Sequence, residues 1–238
     1  MKQSRREFLV IAGAVAVAGA GLVPLPALAA QKMKISIIGS GNVGGAIGAT
    51  WVRAGHEVMF SSRDIEHDKE LAKKLGGGAR AGTPREAAAF GEVVMVSVPY
   101  HALPAVGKDV GDLLKGKIVI DTNNPFLARD GETGKWALEK GAGLASAELL
   151  PGARLVRAFN AIAAAKMGAA YQEPGKVGMP IASDDAKAVE VASRLIRDVG
   201  YEPVLIGGLE KGKYLMPGQP FAGERSAEEI KKIAAGLN

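Results

Sequence analysis

Short apolar runs alternate with helix-like segments along most of the chain. The runs cover residues 35–38, 57–60, 79–81, 93–98 and 118–121, and a sixth lies at 155–159. Strands of a parallel sheet that is covered on both faces have this nearly continuous apolar character. The alternation therefore predicts an α/β fold of the Rossmann type, a doubly wound parallel sheet.

Two of the segments between strands carry start signals for helices. Thr83-Pro84-Arg85-Glu86 is a capping box with proline at the first helical position. Asp64 precedes a charged helix that we predict over residues 65–75. Further helices are predicted over residues 43–54, 102–114 and 145–150.

The last third of the chain adds a strand–helix–strand unit, with strands at 177–182 and 203–206 and a helix at 184–196. We expect residues 33–160 to form a nucleotide-binding Rossmann domain. Residues 161–238 then form a smaller lobe on the substrate side, which ends in an amphipathic helix at 226–237. Two-domain dehydrogenases need a long helical second domain, and the roughly thirty residues after Ile206 are too few for one.

A glycine-rich turn, Gly39-Ser40-Gly41-Asn42-Val43-Gly44, follows the first apolar run and opens the first predicted helix. In this order of elements Gly39 allows the tight turn, Gly41 lets the backbone approach a phosphate, and Gly44 lets helix and strand pack closely. The helix N-terminus offers free N–H groups and the positive end of its dipole to an anion. The turn therefore predicts a site for the pyrophosphate of a dinucleotide.

Ser61-Ser62-Arg63 follows the second apolar run, where an NAD site usually places Asp or Glu to accept from the ribose 2′-hydroxyl. Two hydroxyls and a guanidinium suit a 2′-phosphate instead, because Arg holds phosphate oxygens through forked, charge-assisted bonds. We therefore predict NADP(H) as the cofactor. A solvated surface charge is the alternative role for Arg63.

The first 29 residues have the pattern of an export signal. Arg5-Arg6 precedes a mildly apolar stretch that ends at Val23, and the small-residue pattern Ala27-Leu28-Ala29 follows two prolines. This predicts a twin-arginine (Tat) signal peptide, export by the Tat machinery and a periplasmic location. The apolar stretch is short for a bilayer span, so we expect no membrane span after cleavage, while retention as an anchor stays open. A protein exported in folded form can carry a bound nucleotide with it.

Composition argues against several other function classes. The net charge of +5 at pH 7 is modest and forms no Lys/Arg stripe with interleaved aromatics, which argues against nucleic acid as a partner. Cysteine is absent, so the chain has no disulfide, thiol nucleophile or thiolate metal site. His56, His67 and His101 are far apart in the sequence, and we expect no metal.

Taken together, these motifs resemble the NADPH-dependent coenzyme F420 (deazaflavin) reductase family over residues 33 to about 221. The resemblance rests on the glycine turn, on Ser61-Ser62-Arg63, and on four later segments: Val98-Pro99, Ile120-Asp121-Thr122-Asn123-Asn124-Pro125, Arg157-Ala158-Phe159-Asn160 and Gly207-Gly208-Leu209.

The resemblance implies a division of the site into two halves. Ser40, Ser62 and Arg63 would hold the 2′-phosphate, and the backbone near Val98-Pro99 and Asn124-Pro125 would border the nicotinamide. Hydride would pass directly between the nicotinamide and a deazaflavin ring, so the protein supplies alignment and excludes water.

The chain departs from that family at three places. Members that use the deazaflavin often carry His at the position of Asn160 and hydroxyl residues in the region of Pro217-Gly218-Gln219. A lysine of the phosphate clamp is replaced by His67, with Lys69 as a substitute nearby. The acceptor is therefore open between coenzyme F420, a flavin and another small molecule.

Three residues near the expected nicotinamide position are candidates for catalysis. Tyr100 and His101 follow the fourth strand, where a general acid could reach a substrate, and Asn160 ends a strand on the same sheet edge. A helix start with a packed aromatic ring is the competing interpretation of Tyr100 and His101. A non-catalytic NADP-binding module of an exported redox complex is the alternative function, and the oligomeric state, a homodimer included, is open.

The assignment of NADP(H) can be tested at Arg63. We expect Arg63→Ala to weaken NADPH binding at least several-fold, because charge-assisted bonds to phosphate contribute about 1.5–3 kcal/mol each. Titration of NADPH fluorescence against the two proteins measures the change. An unchanged dissociation constant would indicate a different nucleotide.

Overall fold

A computed structural model of the protein describes residues 32–237. The predicted signal peptide at 1–29 lies outside the described residues. Eight strands form a single sheet in the order β3-β2-β1-β4-β5-β6-β7-β8. They are β1 (Lys34–Ile38), β2 (Glu57–Ser61), β3 (Ala79–Ala81), β4 (Val93–Val96), β5 (Ile118–Asp121), β6 (Arg154–Arg157), β7 (Val177–Ala182) and β8 (Tyr201–Gly207).

Within the described part of the chain, eight α-helices connect or follow the strands. They are α1 (Asn42–Arg53), α2 (Ile65–Leu75), α3 (Pro84–Phe90), α4 (Leu103–Leu114), α5 (Leu127–Lys140), α6 (Ala142–Leu149), α7 (Ala186–Asp198) and α8 (Ala227–Ala235). Short 3₁₀ helices lie at Tyr100–Ala102, Ala164–Lys166, Ala169–Gln172 and Leu209–Leu215.

The Rossmann fold predicted from the apolar runs is confirmed. Neighbouring strands are parallel, with the exception of β6 and β7, which pair antiparallel through Arg157 and Ala182. The strand–helix–strand unit of the last third therefore extends the same sheet across the expected boundary at residues 160–161. The structure joins the two parts through main-chain pairing.

The two predicted helix starts are confirmed. The Thr83 hydroxyl accepts from the Glu86 N–H at 3.2 Å while the Glu86 carboxylate accepts from the Thr83 N–H at 2.7 Å, which completes the capping box of α3. The Asp64 carboxylate accepts from the His67 N–H at 3.0 Å and caps α2.

Helix α5 is the α-helix that the sequence pattern did not predict. It contains Gly131 in a left-handed conformation (φ 52°), which interrupts the helix and breaks its apolar spacing. The helix matters to the site because it carries Asp130, whose carboxylate accepts from the Phe126 N–H at 2.8 Å at the start of the helix.

Two apolar clusters cover the two faces of the sheet. One packs α1 and α7 against the strands, and the other packs α4 and α6 against the opposite face. The Trp51 indole N–H on α1 donates to the Leu195 carbonyl on α7 at 2.8 Å, and its ring meets Phe159 edge to face at 6.2 Å. Phe159 thereby ties the segment after β6 to the core, beside the ligand edge of the sheet. Within residues 32–237, no helix is both long enough and apolar enough to cross a bilayer.

Candidate active site

A groove runs along the carboxyl ends of β1, β4 and β5, the edge at which open α/β sheets bind their ligands. It consists of a larger cavity of about 640 Å³ and a smaller cavity of about 440 Å³. The two cavities share Gly41, Ser97, Val98 and Pro99, so they adjoin at the turn after β4. Both volumes fall within the range of small-molecule sites.

The glycine turn forms one wall of this groove. Gly39 has a φ of 100°, and a side chain there would overlap the Ser97 carbonyl group. A side chain at Gly44 would overlap the Gly39 carbonyl oxygen, so α1 and β1 pack at the distance that only glycine permits. At Gly41 the space is open, and a side chain there would meet no neighbouring element. The turn therefore leaves room in front of the α1 N-terminus, which could hold a pyrophosphate.

The end of the smaller cavity carries Ser62 and Arg63. Arg63 is exposed and forms no hydrogen bond or ion pair with any other described residue, so its guanidinium is available to an anion. The Ser62 hydroxyl lies 2.9 Å from Asp68 Oδ2, and the Ser40 hydroxyl donates to Asp68 Oδ1. Asp68 was not identified from the sequence, because its role depends on the approach of α2 to two loops.

Ser61 faces away from the groove. Its hydroxyl is buried and donates to the Ile37 carbonyl at 2.8 Å, inside the sheet. The Ser61 carbonyl accepts from the N–H groups of Gly39 and Ser40 at 2.8 and 3.2 Å. The expected contact of this hydroxyl with a cofactor is corrected accordingly: Ser61 supports the glycine turn through its main chain.

The larger cavity is bordered by the loop after β5, which a buried ion pair holds in place. Arg157 Nη1 lies 2.6 Å from Asp121 Oδ2, and both side chains are fully buried. The other Asp121 oxygen accepts from the Asn123 main-chain and side-chain N–H groups at 2.8 and 2.6 Å. Asn123 Oδ1 in turn accepts from the Val98 N–H at 2.7 Å. One network thus fixes the walls contributed by β4, β5 and β6.

Asn160 lies in the larger cavity and is 2 % exposed. Its Nδ2 is 3.4 Å from the Asn123 carbonyl oxygen, and its main-chain oxygen accepts from Asn124 Nδ2 at 2.8 Å. Its Oδ1 is buried and has no hydrogen-bond partner. The preceding residue, Phe159, has a φ of 64°, a conformation that costs energy in a non-glycine residue and is typical of functional sites.

Tyr100 and His101 are separated by the fold. The Tyr100 side chain is fully buried, with its hydroxyl 3.1 Å from the Ala142 carbonyl oxygen and 3.0 Å from Ser146 Oγ. Burial raises the pKa of Tyr100 far above its ordinary value, so the phenol holds its proton. Its expected role as a general acid in the groove is corrected to a packing role in the core.

His101 lies at the rim of the smaller cavity, with Nδ1 2.8 Å from Asp130 Oδ1. Burial alone would raise the pKa of Asp130. Hydrogen bonds from Arg129, from the Phe126 N–H and from His101 instead hold this pKa well below its ordinary value. The carboxylate orients the imidazole, but Asn160 lies in the other cavity, so the three catalytic candidates are not brought together.

Most of the other residues expected in the site line the groove. The lining includes Gly39, Gly41, Asn42, Val43, Ser62, Arg63, Val98, Pro99, His101, Asn124 and Asn160. Ser40, Gly44, Ser61, Tyr100 and Pro125 line neither cavity. Among residues 32–237, no cluster of His, Asp and Glu side chains has the arrangement of a metal site.

Comparison with known proteins identifies the class. A family model described as "NADP oxidoreductase coenzyme F420-dependent" matches residues 34–125, from β1 to the loop after β5. With the glycine turn and the Ser–Arg pair at the groove, this defines a Rossmann-fold NADP-dependent oxidoreductase.

A curated relative then identifies the family. The F420-dependent NADP reductase of Methanothermobacter thermautotrophicus is 30% identical over 197 residues, which cover 77% of this chain and 84% of the relative. The chain therefore belongs to the F420-dependent NADP oxidoreductase family.

Solved structures agree in fold. A hypothetical protein from Sinorhizobium meliloti superposes with a TM-score of 0.67 at 25% identity, over 80% of this chain and 93% of that protein. A candidate F420-dependent NADP reductase from Arthrobacter sp. FB24 gives a TM-score of 0.62 at 20% identity, over 76% of this chain and 87% of that protein.

The buried ion pair behind the groove gives a stability prediction. We expect Arg157→Met to lower the free energy of unfolding by about 3–5 kcal/mol, because it leaves the Asp121 carboxylate buried without its cation. Urea denaturation followed by circular dichroism measures the loss. Arg85→Met is the matched control, since Arg85 pairs with Asp112 on the surface and should change stability little. Equal losses in the two variants would contradict the prediction.

Proposed function

We propose that the protein transfers hydride between NADP(H) and a small planar acceptor, with a deazaflavin as the first choice and a flavin as the second. The observation that carries the proposal is the groove. One cavity ends at a free guanidinium, and the adjoining cavity is large enough for a second ring system. The curated relative is named an F420-dependent NADP reductase, which supports the choice of acceptor.

The residues present fit NADP(H). The open space at Gly41 and the α1 N-terminus would receive the pyrophosphate, and Arg63 would pair with the 2′-phosphate. The backbone at Val98-Pro99 would border the nicotinamide where the two cavities meet, and Asn124-Pro125 would border it from the larger cavity, which Asn124 lines. When bound, the reduced nicotinamide supplies the hydride. The protein contributes alignment and exclusion of water.

The larger cavity has the chemistry to hold an acceptor ring. Residues 161–164 give it an apolar wall of alanines and Ile162 against which a ring could pack. The buried Asn160 Oδ1 without a partner calls for a hydrogen-bond donor, since buried polar atoms are nearly always paired. Flavin and deazaflavin rings both carry an imide N–H that can meet such an acceptor. Asn160 therefore fits a role in orienting the ring.

The acceptor can be identified by turnover. We expect the purified protein to oxidise NADPH, followed at 340 nm, when a deazaflavin or a flavin is added. Tight NADPH binding without oxidation across such a panel would contradict the proposal and support the non-catalytic module.

The Asn160→Ala variant separates the two halves of the site. We expect kcat/KM for the acceptor to fall about ten-fold, while the dissociation constant of NADPH stays within about two-fold, because Asn160 lines the larger cavity and not the smaller one that carries Arg63. Gln172→Ala, which removes an exposed amide outside the groove, is the matched control. Thermal unfolding of both variants verifies that they are folded. A parallel loss of NADPH affinity would place Asn160 in the donor half instead.

We also propose that the protein acts outside the cytoplasm and leaves it by the Tat pathway with its nucleotide bound. The support is the sequence pattern around Arg5-Arg6 and Ala27-Leu28-Ala29. Replacing both arginines by lysine should keep the protein in the cytoplasm, as measured by cell fractionation. Lys2→Gln, which removes a charge outside the pair, should leave export intact. Equal periplasmic recovery of all three forms would contradict the proposal.

A further inference from the structure

The Ser62–Arg63 end of the groove contains a negative charge that the Ser–Arg motif does not reveal. Asp68, one turn into α2, is fully buried. No lysine or arginine of the described chain forms an ion pair with it. Its side-chain partners are the hydroxyls of Ser40 and Ser62, one on each carboxylate oxygen. These are the two hydroxyls that the family resemblance assigns to the 2′-phosphate.

A serine hydroxyl has one proton to donate. Ser40 donates its proton to Asp68 Oδ1. The Ser62 hydroxyl lies 2.9 Å from Asp68 Oδ2 and 3.1 Å from the Asp64 carbonyl oxygen, and it accepts from the Asp64 N–H at 3.1 Å. Both protons are therefore used inside the protein. To donate to a phosphate, each serine must turn away from Asp68.

That rearrangement is costly for a phosphate and unnecessary for a hydroxyl. It would leave a buried carboxylate without its hydrogen bonds, next to the dianion of a 2′-phosphate. A ribose 2′-hydroxyl, by contrast, can act as the donor, and the Ser62 oxygen, which lines the smaller cavity, can accept its proton while the bonds to Asp68 persist.

We propose that Asp68 is a specificity-determining residue that lowers the preference for NADP(H) and lets the site also bind NAD(H). The buried Asp68 carboxylate acts through the hydroxyls of Ser40 and Ser62 that it engages, while Arg63 supplies attraction for the phosphate. The inference rests on the proposed function, because it concerns the same nucleotide end of the groove.

Binding titrations of NADPH and NADH with the purified protein test this without any acceptor. We expect the wild-type protein to bind both cofactors. In Asp68→Asn the ratio of the NADH to the NADPH dissociation constant should rise about ten-fold, because the amide releases at least one serine proton for the phosphate and removes a like charge. The gain should come mainly from tighter NADPH binding.

Glu66→Gln is the matched control, since it removes an exposed negative charge from the same helix and leaves the serines untouched. If the ratio of the NADH to the NADPH dissociation constant rose equally in Glu66→Gln, the effect would come from net charge alone and the proposal would be overturned. No binding of NADH to the wild-type protein, or a ratio that does not rise in Asp68→Asn, would overturn it as well. Failure of both cofactors to bind would overturn the proposed function itself, and this inference with it.

Ser62→Ala gives a second test that does not depend on the folding of Asp68→Asn. Because the Ser62 hydroxyl already donates its proton within the protein, we expect the NADPH dissociation constant of this variant to change by less than about two-fold. If the hydroxyl instead holds the phosphate, the variant should lose affinity about as much as Arg63→Ala does, and the proposal fails.

Discussion

The pairing of Arg157 with Asp121 is the constraint on which the ligand edge of the sheet depends. Taking both charges out of water is costly, and the cost is offset because each side chain also bonds a neighbouring loop. The stem of Arg157 passes between Gly143 and Gly212, where any side chain would collide with it or with adjacent backbone. A single charged pair therefore joins two strands, a helix and the 3₁₀ turn at 209–215 behind the groove.

The sequence predicted those parts of the fold that depend on neighbours in the chain. The apolar runs, the capping box at Thr83 and the glycine turn all act over a few residues, and each lies where expected. The role of Asp68 depends on Ser40, 28 residues away, and that of Arg157 on Asp121, 36 residues away. Such contacts arise from packing, which no local pattern records.

Ser61 and Ser62 show that prediction from the sequence is limited even for two adjacent residues. Ser61 is the last residue of β2 and its hydroxyl bonds inside the sheet, whereas Ser62 follows the strand and lines the smaller cavity. The residue at which β2 ends decides which serine faces the groove, and that end is set by the pairing of β2 with β1, which stops at Ser61. The acceptor side of the groove was harder still to predict from the sequence. Its residues Asn160 and 217–218 come from segments beyond residues 34–125, the region that the family model matches.

The three glycines of the turn have different structural roles. Gly39 and Gly44 are required by the contact of the turn with β4 and by the seating of α1 on β1, whether or not a nucleotide ever binds. Gly41 makes no such contact within the protein, and glycine is needed there only so that a nucleotide phosphate can approach the backbone. A descendant of this chain that lost its cofactor would be free to place a side chain at position 41 while keeping the other two glycines. Loss of Gly41 alone would therefore indicate that the site no longer binds a nucleotide.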